Sequence, residues 1–356
     1  MDKLRTIAMF FLLHLASIFA IFPERMMASS SKGHWMAVIV LFAVELTALW
    51  FYLKALSLFP GKSVEEVCRA IMGRWGARLV LLPLLFFVAL ELVLLTYYQA
   101  AEIKTVLLRN TPITAISALF VSICMYGAWK GLTAMLRASI GWVILSIPFL
   151  LFSMVISFEN FQFHYIFPIW DSGMSFLFHP DFYVGTVIFA GYLFLGATSP
   201  AMRIGFGTAA ATLGTVFVFA LVSVYIPLLV FGQETAEHLQ YPMLMASDTV
   251  DLEWVIFDWL PSFYVVSSSG LGVVKVSVLL WLFVTIVKKM FLPKADKRWI
   301  LVIACVLLYA TCQRIPNAAI LDRYLYLNTY FCMYATVGFP ILVYFTARLR
   351  RKKAAV

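Results

Sequence analysis

Ten apolar stretches of bilayer-spanning length fill this chain, at roughly 5–22, 35–58, 78–103, 112–128, 132–157, 183–199, 207–231, 254–287, 299–313 and 324–347. With 63% of its residues hydrophobic and 13% charged, the chain belongs to the polytopic membrane class rather than to any water-soluble one. Three ionisable residues, Glu45, Glu91 and Lys275, fall deep inside the stretches, each about 16–20 Å from an end at helical rise. A charge at the centre of a membrane helix costs about 2.5–3.5 kcal/mol. All three must therefore face a bundle interior or a wet cavity, either as a proton or substrate-charge relay or as an ion pair that fixes helix register.

The net charge of +9 raises nucleic acid as a partner, but the basic residues form no stripe and no aromatic-interleaved patch. They lie in the short connections. One side of the implied bundle collects 19 Lys and Arg and the other 6, which puts both termini in the cytoplasm by the positive-inside rule. The first stretch follows a charged start but meets no convincing cleavage site, so it reads as a retained span. Five scattered cysteines suggest neither a disulfide framework nor a zinc site. No nucleophile elbow, phosphate-binding loop or HExxH pattern appears, and the expectation is a protein with no catalytic residue, metal or cofactor.

The chain reads as one all-α bundle over 1–356, a ten-helix polytopic membrane protein. Five stretches precede the 158–182 connection, which holds aromatics, Pro168, Asp171 and Gly173, and five follow it. An odd number per half implies inverted repeats, about 5–157 and 183–347, as in many secondary transporters. Ser63 with Glu66 three residues on marks the cap of a short amphipathic helix after Pro60-Gly61. The 34-residue eighth stretch is expected to cross once, because splitting it at Ser267-Ser268-Ser269-Gly270 leaves halves too short to span.

Transporter sites of this architecture lie at interrupted helices, whose freed amides and carbonyls meet a ligand's charged ends. The sixth stretch offers Gly191, Leu193, Phe194 and Gly196 before Pro200, and the first offers Ala16, Ser17 and Ile18 near His14. Glycine also serves membrane helices merely by letting neighbours pack closely, and the two readings stay open. The hydroxyls of Ser267-Ser268-Ser269 could hold a sodium ion or bond back to their own helix, and Lys275 could stand in for the cation.

Several segments carry a resemblance, in order: Phe22-Pro23-Glu24-Arg25, His34-Trp35, Tyr52 through Phe59-Pro60-Gly61-Lys62-Ser63, Gly73-Arg74-Trp75-Gly76, Ala101-Glu102-Ile103, Asn110-Thr111-Pro112, Lys130-Gly131 with Arg137, and Phe167-Pro168. Over about the first 200 residues the chain resembles the B subunit of bacterial spore germinant receptors, the GerAB-like spore germination family within the amino acid/polyamine/organocation (APC) superfamily. Tyr241-Pro242 and Phe257-Asp258 are weaker echoes. The resemblance implies a LeuT-like bundle of 5+5 inverted repeats that binds an amino acid or similar nutrient between spans one and six. It also implies A and C receptor subunits as partners, in the spore inner membrane or the cell membrane. Tyr97 stands where the family often has a charge, and Asp258-Trp259 replaces an acidic-basic pair. Tyr97 or Tyr98 is expected to wall the site.

The leading expectation is thus a germinant-receptor B-subunit-like protein that binds a nutrient and signals germination. The alternatives are an autonomous proton-coupled amino acid transporter, with Glu91 or Lys275 as coupling group, and a ligand-free structural subunit of a membrane complex.

Overall fold

Pro23 sets the first turning point of the chain. A computed structural model describes residues 2–170, 173–249 and 260–354. Helix α1 (Asp2–Ile18) stops, and α2 (Phe22–Ser29) leaves at 54° to it. Pro23 occupies the first turn of α2, where a missing amide costs nothing, whereas within a continuous helix it would delete a hydrogen bond and clash with the preceding turn. The first stretch, placed at 5–22 with Ala16-Ser17-Ile18 as its candidate interruption, ends as a helix at Ile18 and continues past the bend as α2.

Helix α3 (His34–Ser57) crosses to the opposite face and ends in the Pro60-Gly61 turn, with Gly61 at φ 82°. Helix α4 (Val64–Val106) then runs for 43 residues, more than twice a bilayer's need. Gly73, at φ 75° and ψ −177°, breaks it, so the short amphipathic helix expected after Ser63 is the segment ahead of that kink. Glu66 accepts a 2.9 Å hydrogen bond from the Ser63 amide, which satisfies one of the donors a helix start leaves open. Gly131, at φ 82°, makes the sharp turn between α5 (Ile113–Lys130) and α6 (Leu132–Ile156).

The sixth stretch departs from the expected helix. After the single turn of α7 (Pro180–Val184), residues Gly185–Ala197 wind as a 3-10 helix for 13 residues, although such runs seldom exceed four. Its glycines explain the close fit. A Cβ on Gly185 would come within 2.5 Å of Met26 in α2, and one on Gly191 within 2.6 Å of the His14 ring in α1. Six residues are two 3-10 turns, so both glycines share the face laid against the first span.

Helix α8 (Phe206–Phe231) is followed by the short α9 (Gln233–Ala236) and α10 (Pro242–Asp248). Helix α11 (Leu260–Ile286) passes through Ser267-Ser268-Ser269-Gly270 without a break and ends in a π turn at Val287–Phe291. Residues Asp171, Phe257, Asp258 and Trp259, named above, lie outside the described residues. Helix α12 (Lys297–Cys312) precedes α13 (Ala318–Met333), which joins α14 (Phe339–Ala354) through a second π turn. The described residues of the connection over 158–182 include three 3-10 turns, and the connection is tied down by the Trp35 indole on the Ile169 carbonyl at 3.0 Å and the Gln162 amide on the Leu229 carbonyl at 2.8 Å.

Among the described residues, eight helical segments have the length and apolarity to cross a membrane, and the bent α1–α2 pair makes a ninth if counted as one span. Helix α12, at 16 residues, falls short of the roughly 20 of a straight span. No strand occurs among the described residues. Helix α1 lies at the centre, packed against α6, α8, α11 and the 3-10 segment, while α11 packs against α4, α5 and α6.

The Ser63 amide holds the exposed Glu66 carboxyl below its ordinary value of 4.5. A depressed folded value adds stability that is complete above the unfolded pKa and fades as pH falls through the folded one. Glu66→Gln is therefore expected to lower stability at neutral pH and to flatten the acid limb below pH 4.5. Thermal unfolding across pH checks this, and an acid limb of unchanged steepness would refute it.

Candidate functional site

Where α1 ends, its last turn brings Ser17 to Lys275 of α11. The lysine Nζ donates to the Ser17 Oγ and, at 3.4 Å, to the Val187 carbonyl of the 3-10 segment. It also lies 3.3 Å from Glu91 Oε1, and both side chains are shut away from solvent. The Asn328 amide of α13 donates to the other Glu91 oxygen at 3.0 Å. Five elements thus converge on one ion pair: α1, α4, the 3-10 segment, α11 and α13.

Glu45 does not join this pair. It faces His14 Nε2 at 2.7 Å, and His14 Nδ1 lies 2.6 Å from the Phe10 carbonyl. A carbonyl only accepts, so Nδ1 carries a hydrogen and donates it. One proton is then required between Nε2 and Oε1, whether it rides on the ring or on the carboxyl. The His14 ring lies against Gly191, so this second polar centre also belongs to the contact between first span and 3-10 segment.

The expected site residues separate along that contact. Ala16, Ser17 and Ile18 are buried in the last turn of α1, and Val187, rather than a residue of 193–196, presents the carbonyl that reaches Lys275. The Leu193 carbonyl accepts from the Tyr52 hydroxyl at 2.9 Å, and a Cβ on Gly196 would run into the same hydroxyl. Phe194 is buried beside them. The Ser268 hydroxyl lies 3.0 Å from a Glu102 carboxyl oxygen and 3.2 Å from the Val265 carbonyl.

Tyr98 belongs to a network that sequence reasoning passed over, and Tyr97 is half-buried next to it. Arg25 of α2 reaches Asp181 of α7 at 3.1 Å, Asp322 of α13 at 2.5 Å, Glu24 at 3.0 Å and the Tyr98 hydroxyl at 3.5 Å. The Tyr326 hydroxyl donates to Asp181 at 3.0 Å. The signal was present in Phe22-Pro23-Glu24-Arg25: an arginine one turn into a proline-started helix segment is carried into the bundle. This network ties α2 and α7 to α13. At the opposite face Lys289 pairs with Glu65 at 2.5 Å, and Arg203 donates to the Lys62 carbonyl.

Removing one member of a buried pair strands the other. Glu91→Gln and Lys275→Gln are each expected to cost about 3–5 kcal/mol of stability, and the double substitution distinctly less than their sum. Thermal unfolding of the purified variants measures this; additive losses would argue against a shared ion pair.

A family model described as "Spore germination protein" matches residues 1–319. Comparison with curated protein sequences returns no match. Among solved structures, the chain is similar to Mhp1, a nucleobase-cation-symport-1 family transporter, in a closed conformation with bromovinylhydantoin bound. The likeness has a TM-score of 0.69 at 15% identity and covers 98% of this chain and 78% of that one. At that identity the likeness is one of fold alone. The extent of the family match shows that the chain belongs to the spore germination protein family.

Proposed function

We propose that this integral membrane protein acts as a germinant-receptor B subunit, binding an amino acid or similar small nutrient beside the end of α1 and signalling germination. The observation that carries the reading is the convergence of the α1 break, the 3-10 segment and the Glu91–Lys275 pair in one enclosed place. Bent and rewound helices free backbone groups for a ligand's charged ends. Lys275 supplies a tethered positive charge there, which makes a free sodium ion unnecessary. A ligand can signal only by binding one state of the bundle more tightly than another, and the Arg25 and Lys289 networks are the contacts whose making and breaking would define two states.

The same reading takes the chain as ten spans in two inverted halves, about 5–157 and 183–347, with α12 as a short ninth span. The bent first span and the 3-10 sixth occupy matching places in the two halves, as inverted repeats predict. Both termini face the cytoplasm on the 19-to-6 bias of basic residues, and the partners are receptor A and C subunits in the spore inner membrane. Proton-coupled transport is a second reading, favoured by the proton required between His14 and Glu45 at the contact between α1 and the 3-10 segment.

Purified protein screened against a nutrient panel is expected to gain thermal stability with one amino acid, by about 2.7 kcal/mol at a hundredfold excess over Kd. The gain should persist without sodium and shrink in Ser17→Ala. No gain with any nutrient would leave a ligand-free structural subunit. Accumulation of the labelled ligand in vesicles under a pH gradient, lost in Glu45→Gln, would move the assignment from receptor to transporter.

A further inference from the structure

A cavity of about 350 Å³ opens between the last two turns of α3 and the start of α8, on the face where Lys289 meets Glu65. Trp50, Leu53 and Phe206 give it apolar walls, Lys54 and Arg203 line it as cations, and no acidic residue lines it. The Arg203 guanidinium is fixed by its bond to the Lys62 carbonyl, while its Nε is buried and donates to no acceptor. A fixed cation with an unused donor is built for an oxyanion.

Helix α8 adds a third positive element. This 26-residue helix starts at Gly205 with no capping side chain and no acid in its first turn. A Cβ on Gly205 or Gly207 would meet nothing within 4 Å, so the backbone there is open to approach. Unpaired first-turn amides and the helix dipole both favour an anion.

The depth of the cavity selects the kind of anion. Lys54 lies in the last turn of an apolar 24-residue helix of spanning length, where hydrocarbon gives way to headgroups. Trp50, 39% exposed, is of the aromatic type enriched at that level, and Phe206 is equally exposed beside it. We propose that this cavity binds the phosphate group of an anionic phospholipid, with the phosphate on Arg203, Lys54 and the α8 amides and the glycerol end along Trp50 and Leu53. A soluble phosphate ester offers the same anion but gains nothing from the apolar walls. Leu195 and Thr198, at the end of the 3-10 segment, also line the cavity, so the bound lipid touches the element that carries Val187 and Gly191.

The full chain, purified into phosphatidylcholine nanodiscs, is titrated with phosphatidylglycerol and read by thermal midpoint and by native mass spectrometry of retained lipid. Phosphatidylglycerol is expected to be retained and to raise the midpoint, and Lys54→Gln and Gly207→Asp should each weaken retention about tenfold. Gly207→Asp should keep or raise the midpoint in phosphatidylcholine alone, since an acid in the first turn favours the helix. Its loss of lipid would therefore not reflect misfolding. Equal retention in wild type and both variants would overturn the site. The same rise given by inorganic phosphate, with no further effect of phosphatidylglycerol, would overturn the lipid assignment.

Discussion

An ammonium and a carboxylate 3.3 Å apart, both out of reach of solvent, occupy the middle of this bundle. Either charge alone would be too costly to keep there; together, and with Ser17, Val187 and Asn328 supplying hydrogen bonds, they are supported. Because five elements each give a group, none can slide along its neighbours without stranding a charge. The pair thus helps to fix the vertical register of the bundle, together with the His14–Glu45 contact and the Arg25 network. It also fixes where α1 must end, since Ser17 has to reach Lys275.

The two deformed elements follow from that constraint. Pro23 turns the first span away just beyond Ser17. The sixth element winds as a 3-10 helix with Gly185 and Gly191 on the side facing the first span, and so approaches closer than side chains would allow. Arg25 then clasps both deformed elements to α13, and Tyr52 holds the far end of the sixth through the Leu193 carbonyl. What looks like a row of separate polar contacts is one arrangement of two bent elements pinned at both ends and in the middle.

Much of this could be read from residue patterns. Apolar length gave the helices, and the cost of burying charge placed Glu91 and Lys275 inside. Glu45 was placed inside equally well, but its partner was not legible, because pairing depends on which helix faces which, and nothing local told that His14 rather than Lys275 would meet it. The 3-10 winding was equally hidden. Gly191 and Gly196 pointed to an interruption, yet the choice between a break and a tighter helix is made by the His14 and Tyr52 rings that press on those glycines. Arg25 was overlooked because it sits outside the apolar stretches, and only the bend at Pro23 turns it inward.

The 3-10 segment has a property that an α-helix of the same residues would lack. At about 2.0 Å per residue against about 1.5 Å, its 13 residues span about 6.5 Å more than the α form. Length and winding are therefore a single variable in this element: a half-turn taken up near Gly191 draws its lower end towards its upper one, with no hinge needed. Since Tyr52 grips the carbonyl of Leu193 and Lys275 that of Val187, any such rewinding is felt at both grips at once, as a strained cord transmits a pull at one knot to the next.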